Sequence, residues 1–126
     1  MDQHQHHEKL IHGVSEQLKT ILESSEQAIY VYLDDIHKVC NQKFAALLGY
    51  ESPQEWAKIE ESLIDVSVAE KSQGILVKAY QKAMDKMAGS TISVTWRKKS
   101  GGTIDTTVIL VPLCYEGHMF ALHFVS

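Results

Sequence analysis

The chain has 126 residues, 44% of them hydrophobic and 22% charged, with a formal net charge of −4 at pH 7. That length allows one hydrophobic core rather than two, and that balance excludes wholesale disorder. The acidic surplus and the lack of any long run of like charges give no field for nucleic acid or anionic lipid, so neither is expected as a partner.

From Glu8 to Glu23 the apolar residues Leu10, Ile11, Val14, Leu18, Ile21 and Leu22 recur at steps of three and four, the spacing of an amphipathic helix. Ile11, Val14, Leu18 and Ile21 also fit a heptad seam. They could therefore pack on the chain's own domain or form a homodimer interface. AIYVYL (28–33) is β-branched and aromatic, Asp34-Asp35 supplies a turn, and IHKVC (36–40) completes a short hairpin. Asn41 is a good helix cap, Phe44, Leu47 and Leu48 share one helical face, and Gly49 offers the left-handed stop. Asn41 and Gly49 are thus expected to bracket a short helix as structural residues. Ser52-Pro53 starts another, over Gln54 to Lys58, which carries Trp56.

The stretch from Ile59 to Val68 reads as a loop with a helical turn. Ala69 to Met87 is a longer helix with the stripe Leu76, Ala79, Tyr80, Ala83, Met84 and Met87, and Gly89 is expected to end it. Three strands follow at 91–99, 103–115 and 119–125, separated by Ser100-Gly101-Gly102 and Glu116-Gly117. Residues 1–25 then form a polar segment with an amphipathic helix, and residues 26–126 an α+β domain with its helices on one face of an antiparallel sheet.

The stretches AIYVYLDDIHKVCNQKFAALLGYESPQEW and RKKSGGTIDTTVILVPLCYEGHMFALHFV resemble PAS domains, in the order strand, turn, strand, capped helix with Gly-Tyr, then three closing strands with a Lys-rich hairpin. The resemblance covers about residues 20 to 126. It implies a PAS-like five-stranded antiparallel sheet enclosing a small cavity, and signal sensing through a small-molecule ligand or homodimeric contacts. With no room for an output domain in this length, a separate signalling output protein is expected. A ligand-free adaptor or dimerisation module is the alternative, and a small α+β enzyme using the same cavity a third reading. No grouping of nucleophile, base and orienting residue marks an enzyme.

Light-sensing relatives carry a reactive Cys in the middle helices, where Lys58 to Glu70 has none, and haem-binding relatives commonly present a His from the longer helix, where Ala69 to Met87 has none. Covalent flavin and haem are therefore not expected, and the cofactor is unknown. Candidate ligand contacts are Phe44, Leu48, Trp56, Tyr80, Met84, Trp96 and His123, with core packing the favoured reading for Trp56, Tyr80, Met84 and Trp96. For His123, mid-strand in an apolar run, a satisfied or outward-facing imidazole is the favoured expectation. His4, His6, His7 and His12 lie in a polar terminal segment expected to fray, with no Cys partner and no His pair at i, i+4, so no physiological metal site is expected.

Both faces of the last two strands are apolar: Ile109, Val111, Leu113 and Tyr115 lie opposite Val108 and Leu110. The second face therefore needs a cover, either the amino-terminal helix or a second subunit. The longest apolar run, Val108 to Tyr115, is interrupted by Pro112 and falls short of the roughly 20 residues that span a bilayer. The amino end lacks the apolar core of a signal peptide. Cys40 and Cys114 without CxxC spacing fit reduced thiols, so a cytoplasmic location and no membrane partner are expected.

Overall fold

The computed structural model describes residues 3–126. Its elements are α1 (Gln3–Gln17), α2 (Lys19–Ser24), β1 (Ala28–Tyr32), β2 (Lys38–Cys40), α3 (Gln42–Leu47), α4 (Pro53–Ala57), α5 (Leu63–Ser67), α6 (Glu70–Lys86), β3 (Ser90–Arg97), β4 (Thr103–Tyr115) and β5 (His118–Val125). All strands pair antiparallel in the order β2-β1-β5-β4-β3. Strand β4 is long because it serves two neighbours: its first half pairs with β3 and its second with β5. Thr107 bonds toward the β5 side, so the missing N–H of Pro112 falls on the opposite side, beyond the point where β3 ends.

Helices α3 to α6 cover the inner face, where Tyr30, Phe44, Leu48, Trp56, Leu76, Ala83, Val94, Trp96, Val108, Leu110 and Ala121 form the main core. Helix α1 covers part of the outer face. Its Leu10, Ile11 and Val14 are buried against Val31 and Phe120, with Leu18, Leu33, Leu113, Tyr115 and Leu122 around them. A Cβ at Gly13 would lie 2.3 Å from the Tyr115 hydroxyl oxygen, so the missing side chain is what lets helix and sheet approach. The stripe then leaves the sheet: Leu18 is half-buried and Ile21 is 49% exposed.

Helix α1 begins at Gln3, five residues before the expected start, and the segment expected to fray is helical. Contacts from its first turns to residues about thirty positions away hold it, including His7 Nδ1 to Asp34 Oδ2 at 2.9 Å. Helix α6 ends at Lys86 rather than at Gly89. Met87 takes the left-handed position (φ 52°, ψ 38°), while the absent side chain of Gly89 lets it pass close to the Leu110 carbonyl.

Asn41 does more than cap. Its Oδ1 accepts from Phe44 N and from Ile29 N, both at 3.0 Å, and its Nδ2 donates to the Gln27 carbonyl at 2.9 Å. The side chain thus ties the start of β1 to the start of α3, and Gly49 at φ +84° completes the bracket. Asn41→Ala would leave two buried N–H groups without acceptors, which should cost about 2–3 kcal/mol, more than a cap alone. Urea denaturation should show that loss, and Asn41→Asp should recover only part of it, because it keeps the acceptor but sets a carboxylate oxygen against the Gln27 carbonyl.

Candidate functional site

Alternation along β1 points Tyr30 and Tyr32 to the inner face, and antiparallel pairing sets Tyr30 directly opposite His123 on β5. The two rings stack, 3.8 Å between centroids and 9° between planes. The other side of Tyr30 is filled by edge-on and tilted rings of Phe44, Trp56 and Trp96, at 4.7 to 5.6 Å. These rings, with Leu48, are fully buried and occupy the middle of the space between sheet and helices. The open volume is displaced toward α5 and α6. There a cavity of about 120 Å³ is lined by Tyr30, Tyr32, Leu63, Ile64, Leu76, Val77, Tyr80 and His123.

Of the seven candidate contacts, the structure brings Tyr80 and His123 to this cavity. Phe44, Leu48, Trp56 and Trp96 sit beside it in solid core, and Met84 packs half-buried against that core. Trp96 is also satisfied, its Nε1 donating to Thr106 Oγ1 at 2.9 Å. His123 does not face outward: it is 2% exposed on the inner face, and its Nδ1 has no hydrogen-bond partner. Burial pushes its pKa down to about 3, with the nearby Tyr30 and Ala121 backbone only partly opposing. The ring is neutral at physiological pH. The Tyr30 hydroxyl and Trp56 Nε1 are likewise buried without a partner, so the two groups stacked at the cavity wall both have unmet hydrogen-bonding capacity.

The rim is held by polar contacts that serve structure. Asp35 Oδ1 accepts from the Tyr32 hydroxyl at 2.9 Å and from Leu63 N at 3.0 Å, which fixes α5 over the sheet. Lys38, 3% exposed, donates to the Asp35 and Ile59 carbonyls at 2.5 and 2.6 Å and lies over the Trp56 ring. Burial lowers its pKa, against the pull of Asp35 and Asp34. Cys40 does not line the cavity, and burial pushes its thiol up to about 12, which removes it as a nucleophile at neutral pH.

Sequence reasoning missed Tyr30, Tyr32, Leu63, Ile64, Leu76 and Val77 as lining residues. For the two tyrosines the signal was present in AIYVYL, where they share one face of a strand opposite Val31.

Similarity to solved structures agrees with this architecture. The PAS domain of an HTR-like protein from Haloarcula marismortui superposes with a TM-score of 0.63 at 20% identity, covering 97% of this chain and 98% of that one. A PAS domain from a two-component sensor histidine kinase gives 0.66 at 14% identity, covering 91% and 97%. The PAS-B domain of Drosophila melanogaster Cycle, with bound ethylene glycol, gives 0.64 at 13% identity, covering 79% and 97%. No family model and no curated protein matches the sequence. The fold is that of a PAS domain, an α+β five-stranded sheet with its helices. Among the described residues no helix is long and apolar enough to cross a membrane.

Proposed function

We propose that the chain is a PAS-type sensory module that binds a small, neutral, mainly apolar molecule in the cavity between β1, β5, α5 and α6. The observation that carries this reading is the stacked pair Tyr30 and His123, each with a buried polar atom left unpartnered at a cavity wall. Leaving such a group unmet costs about 1–3 kcal/mol, so a ligand that offers it a hydrogen bond recovers binding energy. Size limits the ligand: an apolar cavity of about 150 Å³ takes up benzene, and this one is slightly smaller. A single ring or short chain bearing one hydroxyl or carbonyl fits both constraints. The fold likeness to a domain of a sensor histidine kinase supports a role in signalling.

Phenol is a suitable probe. Titrating it should shift the ring resonances of Tyr30 and His123 in the parent, and Leu76→Trp should abolish the shifts by filling the cavity, at a cost of about 1–3 kcal/mol from overpacking. A parent that shows no shift, and retains no small molecule in native mass spectrometry, would leave the ligand-free adaptor as the reading.

That second reading has an observation of its own. Helix α1 leaves uncovered a strip of the outer face where Ile109, 44% exposed, pairs across the sheet with Phe124. With Ile21 also exposed, this strip suits a homodimer contact, and sedimentation of the parent chain across micromolar concentrations tests it.

A further inference from the structure

In sequence, the histidines of the amino end have no Cys partner and no His pair at i, i+4. The fold supplies other partners. Among the described residues, His4, Glu8 and His37 hold one donor atom each within 4.8 Å of one another, and so do His7, Asp34 and His37. His37 is the shared member and is 4% exposed, fixed in the β1–β2 turn. We propose that His4, Glu8 and His37 form a site for a divalent transition-metal ion of the zinc, nickel or copper class.

The tautomer of His37 follows from its partner. Its Nδ1 lies 2.8 Å from Asp34 Oδ1, and an ionised carboxylate can only accept, so Nδ1 carries the hydrogen. In the neutral ring Nε2 is then left with a lone pair. It points at His4 Nδ1, 2.9 Å away, and at Glu8 Oε1, 3.6 Å away. A buried imidazole whose far nitrogen donates to a carboxylate is how proteins orient and strengthen a metal-binding histidine. Asp34 is itself fixed, since its Oδ1 accepts from the backbone N–H groups of Ile36 and His37 at 3.0 and 2.8 Å.

The spacing suits a metal. Tetrahedral bonds of about 2.0–2.1 Å set neighbouring donor atoms about 3.3 Å apart, and the two separations around Nε2 straddle that value. His4 and Glu8 stand one turn apart on α1 with exposed side chains, so small rotations close the difference. Two imidazole nitrogens and one carboxylate oxygen select zinc, nickel or copper over calcium or magnesium, and they leave a fourth position for water. Because His4 and Glu8 come from α1 and His37 from the sheet's first turn, an ion here would pin the helix to the outer face.

The test is calorimetric titration of the untagged full chain with zinc chloride, with cobaltous ion as the spectroscopic probe. The expected result is one equivalent bound at micromolar affinity or tighter, visible absorption of tetrahedral intensity, and slower amide exchange along α1. His4→Ala, on the surface, and His37→Gln should each weaken binding by at least about tenfold, and Asp34→Asn by about 10–100-fold through the lost negative charge behind His37 Nδ1. His12→Ala and the pair His6→Ala with His118→Ala, whose rings lie 4.8 Å apart, should leave affinity unchanged. Circular dichroism of His4→Ala guards against misfolding. Millimolar binding in the parent, or undiminished affinity in folded His4→Ala, or loss only with His6 and His118, would overturn the proposal.

Discussion

Leu10→Glu combined with Val14→Glu should release α1 from the sheet and make the protein associate through the face so bared. Both side chains are 1% exposed in the parent, packed on Val31 and Phe120. Their burial contributes about 3–6 kcal/mol together. A carboxylate at either position cannot stay there ionised, so the helix lets go. Once free, a helix of this length is marginal in water and melts, which circular dichroism should record as loss of helix from residues 3–24 while α3 to α6 persist. The bared face of Val31, Leu113, Phe120 and Leu122 then drives association, visible in sedimentation as concentration-dependent larger species. Thr20→Glu, at an exposed position on α2, is the control and should change neither quantity. A double variant that keeps the parent's helix content and stability would mean that α1 contributes nothing as a cover.

How the outer face came to be covered illustrates what could be read in advance. Apolar residues on both sides of β4 and β5 announced that a second face needed shelter, and the helical stripe through Leu10, Ile11 and Val14 announced something able to supply it. Whether the two meet within one chain depends on the close approach at Gly13 and Tyr115, which are 102 positions apart in sequence. Local signals were reliable where chemistry is local: the Asn41 cap, the Ser52-Pro53 start and the Gly49 stop all appear where their side chains or dihedrals dictate. The end of α6 was not local. Met87 bears no mark of the left-handed conformation it adopts, and Gly89 is needed for a backbone contact instead.

The site was less legible for the same reason. Aromatic residues bound for the inner face were identifiable, but which of them fill the space and which border a void depends on the register that sets Tyr30 against His123. His123 lies between Leu122 and Phe124 in a strand apolar on both faces, so alternation could not assign its side. The histidines of α1 posed the converse problem: His4, Glu8 and their spacing are visible in the sequence, but His37 stands 33 residues away.

His123 should also make the domain unusually sensitive to mild acid, and His123→Phe should relieve that sensitivity. Burial lowers the folded-state pKa to about 3, whereas the unfolded chain takes up the proton near the ordinary value of 6.5. The folded state therefore binds fewer protons throughout the interval between them. The stabilising contribution of the neutral ring is complete above pH 6.5 and declines as pH falls toward 3, at about 1.4 kcal/mol per unit. By pH 5 the parent should have lost about 2 kcal/mol through this one group. Phenylalanine keeps the stack on Tyr30 and removes the unpartnered Nδ1, so His123→Phe should match or modestly exceed the parent at pH 7.5 and exceed it by about 2 kcal/mol more at pH 5. Asp34 does not confuse the comparison. Burial works against its carboxylate, but hydrogen bonds from the His37 backbone, His7 and the His37 ring together hold its pKa below the ordinary carboxylate value, so its contribution is lost only in stronger acid. Urea unfolding of both proteins at the two pH values measures the difference directly. Identical pH dependence in parent and variant would mean that His123 takes up its proton in the folded state as readily as in the unfolded one, and that the inner face is open to water at this position.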